Sequence, residues 1–410
     1  MRRTRARDAL TRSVQSILNI RALIARSPST SSLAKRMSES LRERALKAWL
    51  ADAPPWRPPS PQVASTTPQA IELVSILDLR LESEFTRVRL THSANVPFHA
   101  LSSSLALAPE RSRAFALVLD PSLDRDTQLA TFERDFKGIP WNVAASFVGD
   151  DAFFALCERF GDARVQTTRD AAEPPASRRR MWSPSAPFER ALDVVERAFD
   201  DSDTKSQGER GVRHRLGVAN ATCVDLGCGS GRDAIFAASR GWNVVAIDND
   251  KKALARCASL AVAHGVEDRV RTLEFDFERA SSEDAWRAIL ERSKADGWNV
   301  VVVYAVRFLH KPLMRDLKRL LAPTLGAAVI WVHFMRGCET TAVGRPSKDK
   351  DLLEVHELRD AFAEWDVVRD GASTLPDGRP VSEFVAINRA PVLNSVNDVT
   401  PRERRTFDHP

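Results

Sequence analysis

Apolar residues along the chain fall into two series of short runs and amphipathic stretches, separated by a polar, Arg-rich segment from Thr167 to Arg180. In the second series, Thr222–Leu226, Asn243–Ile247, Val270–Glu274, Val300–Val303, Ala327–Val332, Trp365–Val368 and Glu383–Ile387 predict seven strands. Helical patterns lie between them, with an amphipathic helix from Phe188 to Phe199 ahead and a last helix near Val355–Phe362. Strand and helix in alternation predict a mostly parallel, doubly wound α/β sheet. The first series is shorter. Ile71, Val74, Ile76 and Leu77, then Phe115–Leu119, read as strands, and Phe153 to Phe160 reads as a helix. Upstream, residues 38–50 predict a short helix that Pro54, Pro55, Pro58, Pro59 and Pro61 bring to an end.

At 410 residues the chain has room for two domains. The expected organisation is a basic leader over 1–36, a helix and Pro-rich linker over 37–69, a first domain over 70–165, and a linker over 166–180. A second domain over 181–390 and a tail over 391–410 complete it. No apolar run approaches the length of a membrane span. Cys157, Cys223, Cys228, Cys257 and Cys338 show no C-x-x-C spacing, so neither a zinc site nor a disulfide framework is expected.

The net charge of +5 is unevenly spread. Residues 1–36 carry eight Arg and Lys35 against Asp8, a balance of +8, which leaves 5 − 8 = −3 for the rest. A mildly acidic body argues against nucleic acid as a partner. The leader is Arg-rich, Ser-rich and poor in acids, and Leu10, Val14, Ile17 and Leu18 share one helix face. That is the description of an organellar transit peptide, with a mitochondrion expected and a plastid or the cytoplasm as alternatives, the cytoplasm if the segment is only a solvated basic tail.

The chemistry concentrates at Cys223-Val224-Asp225-Leu226-Gly227-Cys228-Gly229-Ser230-Gly231-Arg232-Asp233. A buried strand runs here into a glycine-rich turn that opens a helix, whose first N–H groups are left unpaired. The next strand ends in Asp248, an acid placed to accept hydrogen bonds from both hydroxyls of a ribose. A nucleoside cofactor is therefore expected. A dinucleotide fingerprint needs a third glycine on the helix, and Arg232 stands there instead.

The triplet Gly227, Gly229, Gly231 resembles motif I of class I S-adenosylmethionine-dependent methyltransferases. That resemblance implies a seven-stranded class I sheet, S-adenosyl-L-methionine as cofactor, and roles for particular residues. Asp225, Gly227, Gly229 and Gly231 would line the methionine end, and Asp248 would hold the ribose. Asp276 would take the adenine amino group, with Phe277 beside the ring. Arg307 and His310, after the fourth strand, would contact the methyl acceptor; for His310, a base, an anion contact and a helix cap all remain open. Segment 181–388 is similar to the tellurite-resistance-type branch through Gly229–Ala234, Gly241–Val244, Arg307–His310 and Leu352–Leu358. Members of that branch methylate small soft anions or metabolites. Within the same class, a protein or nucleic-acid acceptor is the alternative, and a non-catalytic adaptor lies outside it. No metal is expected.

In the first domain, Asp78-Leu79-Arg80-Leu81-Glu82-Ser83-Glu84-Phe85 and Thr91-His92-Ser93-Ala94-Asn95-Val96-Pro97 resemble the rhodanese-like fold. An active member of that family carries a cysteine nucleophile after its next strand. This chain has Asp120-Pro121-Ser122-Leu123-Asp124 there, so a catalytically inactive domain is expected.

Overall fold

The computed structural model describes residues 40–49, 72–102, 104–111, 113–133, 141–160, 167–168, 179–200 and 220–389. The leader and the tail lie outside these residues. The chain divides into two compact units, one reaching Ser183 and the other beginning at Pro184 apart from a short upstream segment.

The first unit opens with helix α1 (40–49). Then come β1 (Glu72–Leu73), β2 (Ile76–Asp78), α2 (Glu82–Arg87), β3 (Arg89–Leu90), β4 (Ser93–Asn95) and β5 (Phe115–Leu119). They are followed by α3 (Arg125–Glu133), β6 (Val143–Val148), α4 (Asp151–Phe160), β7 (Thr167–Thr168) and β8 (Arg179–Arg180). The main sheet is parallel, in the order β4-β2-β5-β6. Period-two alternation along β5 builds both layers of the core. Phe115, Leu117 and Leu119 pack with Leu77 and Phe132 on one face, while Ala116 and Val118 pack with Leu46, Phe153 and Phe154 on the other. The apolar run from Ile71 to Leu77 does not form one strand. It breaks at Val74-Ser75, so that β1 pairs with β8 while β2 enters the sheet centre.

The second unit runs α5 (Ala186–Asp200), β9 (Ala221–Leu226), α6 (Arg232–Ser239), β10 (Asn243–Asp248), α7 (Lys251–Ala263), β11 (Val270–Glu274) and α8 (Ser282–Lys294). It continues through β12 (Asn299–Val306), α9 (Lys311–Leu321), β13 (Ala328–Val332), α10 (Glu357–Ala361), β14 (Asp366–Thr374) and β15 (Pro380–Ile387). The seven strands are ordered β11-β10-β9-β12-β13-β15-β14. All pairings are parallel except those of β15, which runs against both of its neighbours. Strand order reverses between β9 and β12, and an open α/β sheet has its crevice beyond the strand ends at such a point. Strands β9 and β13 are buried throughout and β12 from Val300 onward, which is why they read as apolar runs. One sheet face carries Val224, Leu226, Ile247, Val303, Ala305 and Trp331 against α8 and α9 residues such as Ile289 and Leu317. On the other face the Phe188 ring of α5 meets the Tyr304 ring at 4.5 Å.

Candidate active site

The crevice is made by the turn after β9. Gly227, Gly229 and Gly231 all have positive φ, at 70°, 54° and 80°. The turn is tied down on both sides, since Cys228 N donates to Ile247 O at 2.8 Å and Gly231 N to Cys228 O at 2.9 Å. A Cβ on Gly227 would lie 2.4 Å from Phe308 Cδ2, and one on Gly231 would lie 2.3 Å from Cys257 Sγ. Nothing lies within 4 Å of where a Cβ on Gly229 would stand, so the turn is packed from below and open above.

Asp248 closes β10 beside this opening. Its Oδ2 accepts from Gly229 N at 2.8 Å and its Oδ1 from Asp250 N at 2.9 Å. Each carboxylate oxygen retains acceptor capacity beyond these bonds. The turn therefore holds a pair of acceptor oxygens beside the opening over Gly229.

Asp276 and Phe277 follow β11. Asp276 caps a short 3-10 turn by accepting from Glu278 N at 3.1 Å, and Arg279 Nε approaches its other oxygen at 3.1 Å. Phe277 is buried in a group of rings, with centroids 5.2 Å from Phe275, 5.2 Å from Phe308 and 6.1 Å from His310. The ends of β11 and β12 thus share a cluster of aromatic rings.

Arg307 leaves β12 with φ at 58°, in the left-handed region that non-glycine residues seldom enter. Its N–H donates to Val332 O at 2.7 Å, which fixes the departure, and its side chain is exposed. Phe308 is thereby laid against Gly227. His310 is the N-cap of α9, with Nδ1 accepting from Leu313 N at 3.3 Å. Burial lowers its pKa, with Glu278 opposing. With Nδ1 serving as the acceptor, a neutral ring would carry its proton on Nε2. At this position the capping role is the one the geometry provides.

Asp225 lies deeper, 2% exposed on the Tyr304 side of the sheet, and its Oδ2 is buried without a hydrogen-bond partner. A buried carboxyl oxygen left in that state marks a place that a polar or cationic ligand would complete. The structure also shows contributors that the sequence pattern did not single out. Asp233, in the first turn of α6, accepts from Ser185 N at 2.7 Å and so joins the start of α5 to the glycine turn. His333, just beyond β13, is buried with Nε2 3.1 Å from Asp351 O, and burial pushes its pKa down to about 4. The pairing Met335↔Leu353 and the contacts of Arg336 with Glu354 and Asp349 fold the loop after β13 back on itself.

Residues 223–323 match a family model described as a methyltransferase domain. An uncharacterized protein of Schizosaccharomyces pombe is 23% identical over 344 residues, covering 76% of this chain and 93% of that protein. Among solved structures, an RNA methyltransferase from Salinibacter ruber in complex with S-adenosyl-L-homocysteine is 18% identical. It covers 51% of this chain and 96% of that one, with a TM-score of 0.28. TehB from Haemophilus influenzae is 16% identical over 48% of this chain and 67% of that one, with a TM-score of 0.30. The matched segment, described as a methyltransferase domain, lies on the mostly parallel seven-stranded sheet of the second unit, and the group such a domain implies is S-adenosylmethionine. The residues present fit that group: an open glycine turn, paired acceptor oxygens, a cluster of aromatic rings and an uncompensated buried carboxyl converge at the switch point. Among the described residues, no helix is long and apolar enough to cross a membrane.

Proposed function

We propose that the protein transfers a methyl group from S-adenosylmethionine to a small acceptor that is itself nucleophilic, such as a thiol or a soft anion. Bound at the turn, the cofactor supplies an activated methyl group on sulfur, and the protein's task is alignment and exclusion of water. Asp248 would hold the ribose hydroxyls, Asp276 and Phe277 the adenine, and the turn from Gly227 to Gly231 the methionine end. Arg307, exposed at the end of β12, would offer a cation to the acceptor.

The observation that carries the choice of acceptor is the state of His310. Its Nδ1 lone pair is engaged by the Leu313 N–H, so the ring offers a proton from Nε2 rather than a site to receive one. An acceptor that arrives already anionic needs no base. The mildly acidic body and the folded-back loop after β13 support a small partner over a nucleic-acid one. Labelled methyl transfer from S-adenosylmethionine to thiols, selenite, tellurite and extracted metabolites tests this with the intact chain. Labelling of a thiol or soft anion is expected, and labelling confined to RNA or protein would overturn it.

For the first unit we propose a rhodanese-like fold without its nucleophile. Supporting this, Asp120 fills its own turn after β5, with Oδ1 accepting from Ser122 N at 2.8 Å and Ser122 Oγ at 2.6 Å. A carboxylate in that turn repels the anion a sulfurtransferase must bind. Cys157, on α4, is buried, and burial raises its thiol to about 12, far from the thiolate a nucleophile requires. A mitochondrial address, carried by the Arg-rich leader, is proposed on its composition.

A further inference from the structure

Asp225 has surroundings that binding a neutral ligand would leave unresolved. In register it stands between Ala246 of β10 and Tyr304 of β12, on the face over which α5 lies. Its Oδ2 and the Tyr304 hydroxyl are both buried, and neither makes a well-formed hydrogen bond. Titratable groups act on it from four neighbouring elements: Asp233 from α6, Cys257 from α7, Tyr304 from β12 and Asp248 from β10. Cys223 on its own strand and Cys228 in the turn complete the set. Two of these are acids and none is a cation. The positive groups close by, Arg307 and Arg232, act on Asp233. A carboxyl that is out of water and faces other carboxylates keeps its proton. Burial first, then Asp233, drives Asp225 well above the usual carboxylate range.

We propose that Asp225 carries a proton while the site is free and releases it to solvent when a cationic cofactor settles on the turn above, so that cofactor exchange is coupled to a proton. The proposal rests on the reading of this turn as the S-adenosylmethionine site. The balance is simple. Asp225–COOH becomes Asp225–COO⁻ and one H⁺ leaves as the sulfonium arrives; after transfer the sulfur is a neutral thioether, and the carboxylate takes a proton back. No electron moves and no bond within the protein changes except O–H. The sign follows from linkage. A ligand that prefers the ionised carboxyl gains affinity as pH rises, until Asp225 is ionised in the free protein as well. The demethylated product, one positive charge poorer, gains less. Rising pH therefore increases the preference for substrate over product, and the proton assists release of the spent cofactor. Tyr304, which favours the charged form of Asp225, is assigned the role of positioning that carboxyl.

Calorimetric titration of the full-length chain with S-adenosylmethionine, in two buffers of different ionisation enthalpy at matched pH, counts the protons exchanged. The expected result is release approaching about one proton per site, less for S-adenosylhomocysteine, at some pH between about 5 and 9, the span in which buried carboxyls titrate. Asp225→Asn should abolish the buffer dependence. Tyr304→Phe keeps the ring against Phe188 and should move the pH of greatest release upward, because the lost hydroxyl had favoured the carboxylate. Binding with the same heat in both buffers across that span, or release that persists in Asp225→Asn, would overturn the coupling. Failure of S-adenosylmethionine to bind at all would overturn the cofactor reading itself.

Discussion

The open side of the glycine turn can be tested by adding a single methyl group. Alanine at Gly229 must adopt φ near 54°, and a left-handed non-glycine residue costs about 1–2 kcal/mol. No atom lies within 4 Å of the new Cβ, so that backbone term is the whole structural penalty. For a unit of this size, each kcal/mol lowers Tm by about 2–4 °C, giving a loss of about 2–8 °C. The N–H bond to Asp248 is retained, because alanine has the same backbone donor. The other two glycines behave differently. Gly231→Ala would bring a Cβ within 2.3 Å of Cys257 Sγ and 3.1 Å of its backbone Cα, and Gly227→Ala would collide with the Phe308 ring. Overpacking of this kind adds about 1–3 kcal/mol to the same backbone strain.

The two effects therefore separate. Gly229→Ala should leave the fold nearly intact and remove the space over the turn, weakening S-adenosylmethionine at least about tenfold, or about 1.4 kcal/mol. Gly231→Ala should lose stability first. Differential scanning calorimetry and calorimetric titration on both variants distinguish these outcomes. Unchanged affinity in Gly229→Ala, or a fall in Tm equal to that of Gly231→Ala, would refute the reasoning.

Four further outcomes are expected. Asp248→Asn keeps one acceptor but turns an amide against either the Gly229 or the Asp250 N–H, so it should cost about 1–2 kcal/mol of stability. It should also weaken cofactor binding at least about tenfold, and an unchanged dissociation constant would place the ribose elsewhere. His333 is neutral in the fold, with a pKa near 4 against 6.5 ordinarily, so its contribution is fully present above pH 6.5 and is lost as pH falls towards 4. Denaturant titrations at several pH values should show that slope, and His333→Gln should flatten it. Thiosulfate-to-cyanide sulfur transfer should be undetectable, and thiocyanate production abolished by Cys157→Ser would show the first unit to be active. His310→Asn preserves an acceptor at the cap and should change methyl transfer only severalfold; a loss of about 100-fold or more, the scale of general-base catalysis, would restore His310 as a base.

Much of the second unit was legible because its central strands β9, β12 and β13 are buried on both faces, so each reads as an apolar run that a turn must end. The errors lie where tertiary pairing outweighs composition. β12 continues past Val303 through Tyr304-Ala305-Val306, since a buried tyrosine still fits between Asp225 and Ile330 in the sheet. β14 extends to Thr374 through the polar Arg369-Asp370-Gly371, because β15 pairs with it along that length. At the site, the glycines and the strand-end acids could be read from spacing along one segment. Tyr304, Phe308 and His333 could not, because their importance depends on which strand lies beside which. Tyr304 matters through its register with Asp225, 79 positions away by subtraction, and Phe308 through contact with Gly227.

The end of β12 joins these observations. Arg307 takes up a left-handed backbone and donates its N–H to Val332, so the chain turns off the sheet at one residue. Three consequences follow from that turn. Phe308 drops onto Gly227 and closes the floor of the glycine turn, His310 reaches the first N–H groups of α9, and the Arg307 side chain is left exposed. Backbone strain at a non-glycine residue persists only where its surroundings hold it, and such residues gather at functional sites. Here the same backbone angle lays Phe308 against Gly227, engages the nearest imidazole as a cap and leaves the Arg307 side chain exposed. On the function proposed above, a site arranged in this way would suit an acceptor that brings its own negative charge, with Arg307 to bind that charge and His310 engaged as a cap.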